Sequence, residues 1–357
     1  MSLGAVVEDG GVRFSVWSGA AERVRVSLFD DEDRETDRLE LSRGEDGVHG
    51  LFVPGIGAGA RYGFRAEGPY HPESGLWFDP QKLLVDPHAL HLDRAYVHDP
   101  RLAERGVDTA PMMPKAVVTA PLPALPLRKP VFEPGGLVYE INVRGFTMRH
   151  PDVPEEMRGT IAALAHPAIV EHLKRLRVGA VELMPITAWM DERHLPPLGL
   201  RNAWGYNPVT FMALDPRLAP GGWKELRETV AALHAAGIGV VLDMVFNHTA
   251  ESDALGPTLS LRGLDARAYY RHDADGRLVN DTGTGNTLAC DHPAARRLVL
   301  DSLRAFVRHA GVDGFRFDLA PVLGRSAEGF SPEAPTLRTM VEDEELGSRV
   351  LIAEPWD

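Results

Sequence analysis

Apolar and polar residues alternate strictly near the start of the chain. In GVRFSVW, Val12, Phe14 and Val16 alternate with Arg13, Ser15 and Trp17; in ERVRVSLF, Val24, Val26 and Leu28 alternate with Arg23, Arg25 and Ser27. A period of two belongs to strands buried on one face, so both stretches predict antiparallel strands with one apolar and one wet face. GVHGLFV and RYGFRA are further candidates, and Gly-containing turns at Ser18-Gly19 and Gly55 to Gly59 punctuate the series. The pattern predicts a small β-sandwich over residues 1–109.

Residues 110–136, APMMPKAVVTAPLPALPLRKPVFEPGG, hold prolines that cannot sustain a helix or a central strand and predict an extended connector. Beyond it the period changes. Apolar runs at Leu137 to Val143, Val178 to Pro185, Ile238 to His248, Val312 to Ala320 and RVLIAE alternate with helical spacing near His166 to Leu176, Trp223 to Ala236, His292 to His309 and Pro335 to Leu346. Strand then helix, four times over and ending on a fifth strand, predicts a parallel sheet with right-handed crossovers, either doubly wound or a (β/α)8 barrel. No Gly-x-Gly-x-x-Gly follows the first strand and no Gly-x-x-x-x-Gly-Lys-Ser/Thr occurs, which removes support for a nucleotide site. Residues 137–357 are therefore read as strands one to five of a barrel, whose carboxyl ends face one mouth.

Composition narrows the partners. With 51 Asp and Glu against 38 Lys and Arg, a net charge of −13 and no basic run, nucleic acid and anionic membranes are disfavoured. The start lacks a basic segment followed by an apolar one, and no stretch approaches a spanning length, so the expected location is cytoplasmic. Cys290 stands alone, which excludes an internal disulfide or a cysteine zinc cluster and leaves a small buried hydrophobe.

The polar residues at the strand ends form a set. Asp243, Asn247 and His248 close the third barrel strand; Arg316 and Asp318, two apart in FRFD, share a face while Phe315 and Phe317 point the other way; Glu354 ends the fifth strand. An arginine beside a carboxylate keeps it ionised, which suits a nucleophile. Neighbouring strands lie about 4.8 Å apart, close to the roughly 5 to 5.5 Å between carboxylates in double displacement at a sugar carbon. Singly, a histidine after a strand or an Arg-x-Asp has a structural explanation more often than a catalytic one; it is their co-location on successive strand tips that points to a glycosidase-like pair. Trp17, on the polar parity, reads as a platform for a sugar ring or, more commonly, as packing against a neighbouring domain or loop.

DMVFNH, GFRFD and IAEPWD resemble, in order and spacing, the first three signature regions of glycoside hydrolase family 13, the α-amylase family. YEINVRGFTMRHPDVPEEMRGT, ELMPITAWMDERHL, LGLRNAWGYNPVTFMALDPRLA and GTGNTLACDHP look like its bacterial glycogen debranching enzymes of isoamylase type, and YGFRAEGPYHPESGLWFDPQKLLVDPHA is similar to the glycogen- and starch-binding module that precedes their barrel. The resemblance implies hydrolysis of α-1,6 branches in glycogen or limit dextrin with retention, without cofactor or metal. It implies Asp318 as nucleophile, Glu354 as general acid and base, Arg316 as the residue that orients the nucleophile, and Asp243, His248, Tyr206 and Asn247 on the substrate side. From the residues alone, Tyr206 is equally a packing residue.

The family's fourth signature, a His-Asp pair after the seventh strand, is expected beyond Asp357, together with strands six to eight and a C-terminal β domain. The chain is expected to be part of a longer protein, with an inactive glucan-binding remnant as the alternative. Another family member, a branching or trehalose-forming enzyme, is the second enzymatic reading.

Overall fold

A computed structural model describes residues 2–356; Asp357 lies outside them. Seven strands open the chain: β1 (Gly4–Glu8), β2 (Gly11–Trp17), β3 (Arg23–Phe29), β4 (Glu35–Glu40), β5 (Ser42–Arg43), β6 (Val48–Pro54) and β7 (Arg61–Glu67). A hairpin of β8 (Tyr70–His71) and β9 (Leu76–Trp77) follows, and β10 (Ala116–Val117) pairs with β7 from within the connector. Two antiparallel sheets result, in the orders β1-β2-β6-β5 and β10-β7-β3-β4. The alternation sets what lies between them: Val12, Phe14 and Val16 face Val24, Val26 and Phe64, all at most 1% exposed, and the Phe14 and Tyr62 rings meet at 4.9 Å.

The opposite face is less wet than expected. Ser15 and Ser27 are as buried as their apolar neighbours, and over Ser27 the segment after β9 folds back across β3 and β7. There the buried Arg65 donates to Ser27, to the Gln81 carbonyl at 2.7 Å and to Glu35 at 2.8 Å. Trp17 also resolves to packing. Its indole N–H donates to the Asp46 carbonyl, and its ring lies 5.9 Å from Tyr269 and 5.6 Å from His292, both beyond the connector. Nearby, Asp265 accepts the Gly19 and Ala20 amides at 2.9 Å each, joining the sandwich to the second half.

The second half is one parallel sheet: β11 (Leu137–Ile141), β12 (Val178–Leu183), β13 (Gly239–Met244), β14 (Gly314–Phe317) and, after the small hairpin β15 (Arg325–Ser326) and β16 (Gly329–Phe330), β17 (Val350–Ala353). Their order in the sheet is their order in the chain, with β11 and β17 at its two edges. The helices are α1 (Val143–Thr147), α2 (Pro167–Arg175), α3 (Gly222–Ala235), α4 (Leu261–Tyr269), α5 (Pro293–Ala310) and α6 (Pro335–Glu342). His166 and His292 cap α2 and α5 by accepting amide hydrogens, each ahead of a proline whose missing N–H costs nothing in a first turn. On the convex face α3 and α5 stack Trp223 on Phe306 at 4.8 Å. On the concave face Ala180, Val241 and Phe132 form a separate small cluster with Val138, Val350 and Ile352. This is the interior of a barrel, of which five strands are present. Among the described residues no helix is long and apolar enough to cross a membrane.

Candidate active site

The concave face turns polar toward the carboxyl ends of the strands. Two residues beyond Val138, Ala180 and Val241 on the same parity come Glu140, Glu182 and Asp243, and two beyond Gly314 comes Arg316, which the register sets opposite Asp243. The Arg316 guanidinium is the centre of the site. One terminal nitrogen donates to both oxygens of Asp243 at 3.0 Å and to Asp318 at 3.1 Å, while the other meets Glu354 at 2.6 Å. Asp318 and Glu354 are thus held on one cation.

Each carboxylate has further partners. Asn247 donates to the Asp318 side chain at 2.7 Å and to its carbonyl at 3.0 Å. Tyr206 donates to Asp243. Glu354 accepts the Leu319 amide at 2.9 Å, and to present that amide Leu319 takes a left-handed backbone, φ 42° and ψ 52°. A left-handed non-glycine residue is strain of about 1–3 kcal/mol, held in place by its surroundings. His248 is 3% exposed; its Nδ1 faces Asn247 and its Nε2 lies 3.0 Å from the Tyr206 carbonyl. All seven residues expected from the sequence therefore fall in one network, although both nitrogens of His248 already face protein oxygens.

Burial and charge pull the ionisable groups apart. Burial raises the Asp243 carboxyl to about 7, against the opposing pull of Tyr206 and Arg316. It pushes His248 down to about 4, so the ring is neutral at pH 7. Burial raises Glu182 as well, with Arg316 opposing it and Glu140 adding to it. Burial alone would lower Arg316, but Asp243 and Glu354 outweigh it and raise the guanidinium above its already high value.

Glu140 and Glu182 did not stand out from the sequence. The available signal was a glutamate within each of two apolar runs on the inward parity. With Asp243 they place carboxylate oxygens within 4.8 Å of one another, the spacing of cation ligands. Arg316 already bonds one of the three, so a metal ion would compete with a guanidinium fixed in place.

Two hollows flank Tyr206. One of about 410 Å³ includes His248, Arg193 and Asp253 in its lining; the other, about 650 Å³, includes Asn142, Trp189 and Trp204. Trp204 is 66% exposed, with its ring 6.3 Å from that of Tyr206. Two carboxylates on one arginine beside aromatic rings can carry out acid–base and nucleophilic chemistry on a polyhydroxylated substrate.

The β-sandwich, the five-strand barrel wall and the carboxylate–arginine cluster at its rim are the architecture that the resemblance to the α-amylase family implies. Residues 2–89 match the family model of carbohydrate-binding module 48, the isoamylase N-terminal domain. The chain is homologous over 99% of its length to the glycogen debranching enzymes of Pectobacterium atrosepticum, at 44% identity, and Yersinia enterocolitica, at 43%. In each case it spans 55% of the relative, so the chain covers about half the length of the curated proteins it matches. Among solved structures, the catalytic module of the glycogen-degrading pneumococcal virulence factor SpuA aligns over 100% of this chain and 51% of its own, with TM-score 0.78 at 24% identity. A maltose complex of type I pullulanase from Bacillus subtilis aligns over 100% and 47%, with TM-score 0.76 at 24% identity. At that identity the likeness is one of fold.

Proposed function

We propose that this chain supplies the nucleophile and the proton donor of a glycogen debranching enzyme that hydrolyses α-1,6-glucosidic branches in glycogen or limit dextrin with retention of configuration. The observation that carries the reading is the single guanidinium of Arg316 bridging Asp318 and Glu354, in a chain homologous to glycogen debranching enzymes over 99% of its length. Asp318 attacks the sugar carbon and the C–O bond to the leaving oxygen breaks, giving a glycosyl ester; Glu354 gives that oxygen its proton and then removes one from water, which cleaves the ester. Arg316 and Asn247 stabilise the Asp318 carboxylate and fix its orientation. Asp243 positions Arg316, and Tyr206 offers its ring as a wall for the reacting sugar.

Glu354 carries two donors, Arg316 and the Leu319 amide, which fix its carboxylate at the rim beside Asp318. The substrate is a neutral branched α-glucan and the expected compartment is the cytoplasm. The sandwich aromatics Phe52 and Tyr70 lie beneath Arg13 and Arg105, whereas Trp204 beside Tyr206 and Trp356 beyond Glu354 are exposed aromatic surfaces open to sugar.

The test is reducing-sugar release from glycogen by the protein that carries this chain, with Asp318→Ala and Glu354→Gln variants. Loss of the nucleophile lowers turnover by at least on the order of 10³-fold. A 2-deoxy-2-fluoroglucosyl fluoride should leave its sugar covalently on the peptide containing Asp318. Near-normal turnover of the Asp318→Ala variant, or a label on another residue, rules out the assignment.

A further inference from the structure

The end of the barrel remote from the catalytic cluster carries a groove with a different chemistry. Here the connector, Leu125 to Val131, crosses the carboxyl ends of α3 and α5, where the chain enters β13 and β14, and Arg349 leads into β17. The groove encloses about 480 Å³ and its lining includes Arg128, Lys129, Arg227, His234 and Arg349 but no Asp or Glu. That is unexpected in a chain of net charge −13. None of the four Arg and Lys side chains has a carboxylate partner among the described residues. Arg227 donates instead to the Pro123 carbonyl at 3.0 Å, and Arg349 donates to the Arg128 carbonyl and, at 2.9 Å, to the Ser348 hydroxyl. These contacts hold the guanidinium groups in place without neutralising them.

Two ordinary explanations are too small. Each helix carboxyl end offers roughly half a negative charge, so α3 and α5 together offset about one of the four cations. Asp313 accepts the Val131, Phe132 and Val240 amides and faces His234 at 2.6 Å, and its charge also acts on Arg349, so it offsets at most one more of the four cations. A net positive field remains. Beside it lie apolar surfaces left open to water, Leu127 at 52% and Val131 at 40% exposure.

We propose that this groove binds a small phosphorylated ligand, with the phosphate ester on the arginine forks and a compact ring against Leu127 and Val131. Arginine forks match phosphate geometry in two hydrogen bonds, and the volume falls in the range of small-molecule sites. Both a sugar phosphate and a nucleotide have this chemistry. Isothermal titration of the protein with glucose 6-phosphate, AMP and inorganic phosphate distinguishes them. One ester at least should bind 10-fold or more tightly than inorganic phosphate, more weakly as salt is raised. The exposed double variant Arg128→Ala/Lys129→Ala should lose at least 10-fold of that affinity at unchanged thermal midpoint. Arg227→Gln, which leaves the connector sequence intact, should weaken binding in the same direction. If neither ester exceeds inorganic phosphate, or if both variants bind like the parent, the groove is not a phosphate-ester site.

Discussion

Replacing Arg316 by methionine keeps much of the side-chain volume and removes the charge that three carboxylates share. The Asp243 side chain is fully buried, and those of Glu354 and Asp318 are only 14% and 16% exposed. Removing one partner of such a buried cluster costs about 3–5 kcal/mol. The pH dependence separates this cause from lost packing. In the parent, the Asp243 carboxyl is raised from 3.8 to about 7. A raised carboxyl stabilises the fold most when protonated, so its contribution is full below about pH 4, declines as pH rises to about 7, and is flat above. Without Arg316 the same carboxyl titrates higher still. The variant then goes on losing about 1.4 kcal/mol per pH unit above 7. Between pH 7 and 9 the gap to the parent widens by up to about 3 kcal/mol while staying nearly constant below 7. Equilibrium urea unfolding followed by tryptophan fluorescence at pH 6 and pH 9 reads this directly. An equal difference at both pH values refutes the shared-charge account and leaves packing as the role of Arg316.

Leu319 holds its left-handed backbone at an energetic cost, so Leu319→Asn should be near neutral in stability. Leu319→Val, β-branched in the same conformation, should lose roughly 1–3 kcal/mol in the same urea assay, and equal stability of the two would remove the case for strain. At Asp313, burial acts to raise the carboxyl, but His234 and the Val240 and Val131 amides outweigh it and hold it below its usual value. A lowered carboxyl stabilises above its unfolded pKa and loses that effect as pH falls through the folded one. Asp313→Asn should therefore cost about 2–4 kcal/mol at pH 7, and the gap should close toward pH 3; a gap unchanged at pH 3 counts against a charge-based anchor.

Much of the fold can be read from the order of periods alone. Alternation over Val12 to Val16 and Val24 to Leu28 marks strands because only a sheet buries every second residue. The later apolar runs mark central parallel strands because both their faces are covered, by helices outside and by the barrel interior within. What fails to show is coverage that arises from distant parts of the chain. Ser27 sits on the polar parity yet is buried, since the segment carrying Gln81 and Asp108 folds across that face. Helix α4 carries no clean amphipathic stripe because every residue described in it except Arg267 is buried, and Asp265 breaks its backbone to reach the sandwich. The last helix ends at Glu342 rather than near Leu346, where Asp343 caps the following turn by accepting the Glu345 and Leu346 amides.

The site is legible to the extent that strand tips are. Asp243, Asn247, Arg316, Asp318 and Glu354 each follow or end an apolar run, and parallel register alone brings such positions to one rim. Register does not say how one cation is divided among three acids, and that division decides the chemistry. Because Arg316 also reaches Glu354 at 2.6 Å, the two carboxylates proposed as acid and nucleophile share one cation with Asp243. Glutamates lower on the inner wall bear on the same balance. Arg316 acts against the burial that raises Glu182, so moving the guanidinium toward Glu354 or Asp318 alters the electrostatics one layer down. Asp243 and Glu182 are thus coupled through one arginine, and a pH profile that reads either of them reports the coupled set rather than one residue.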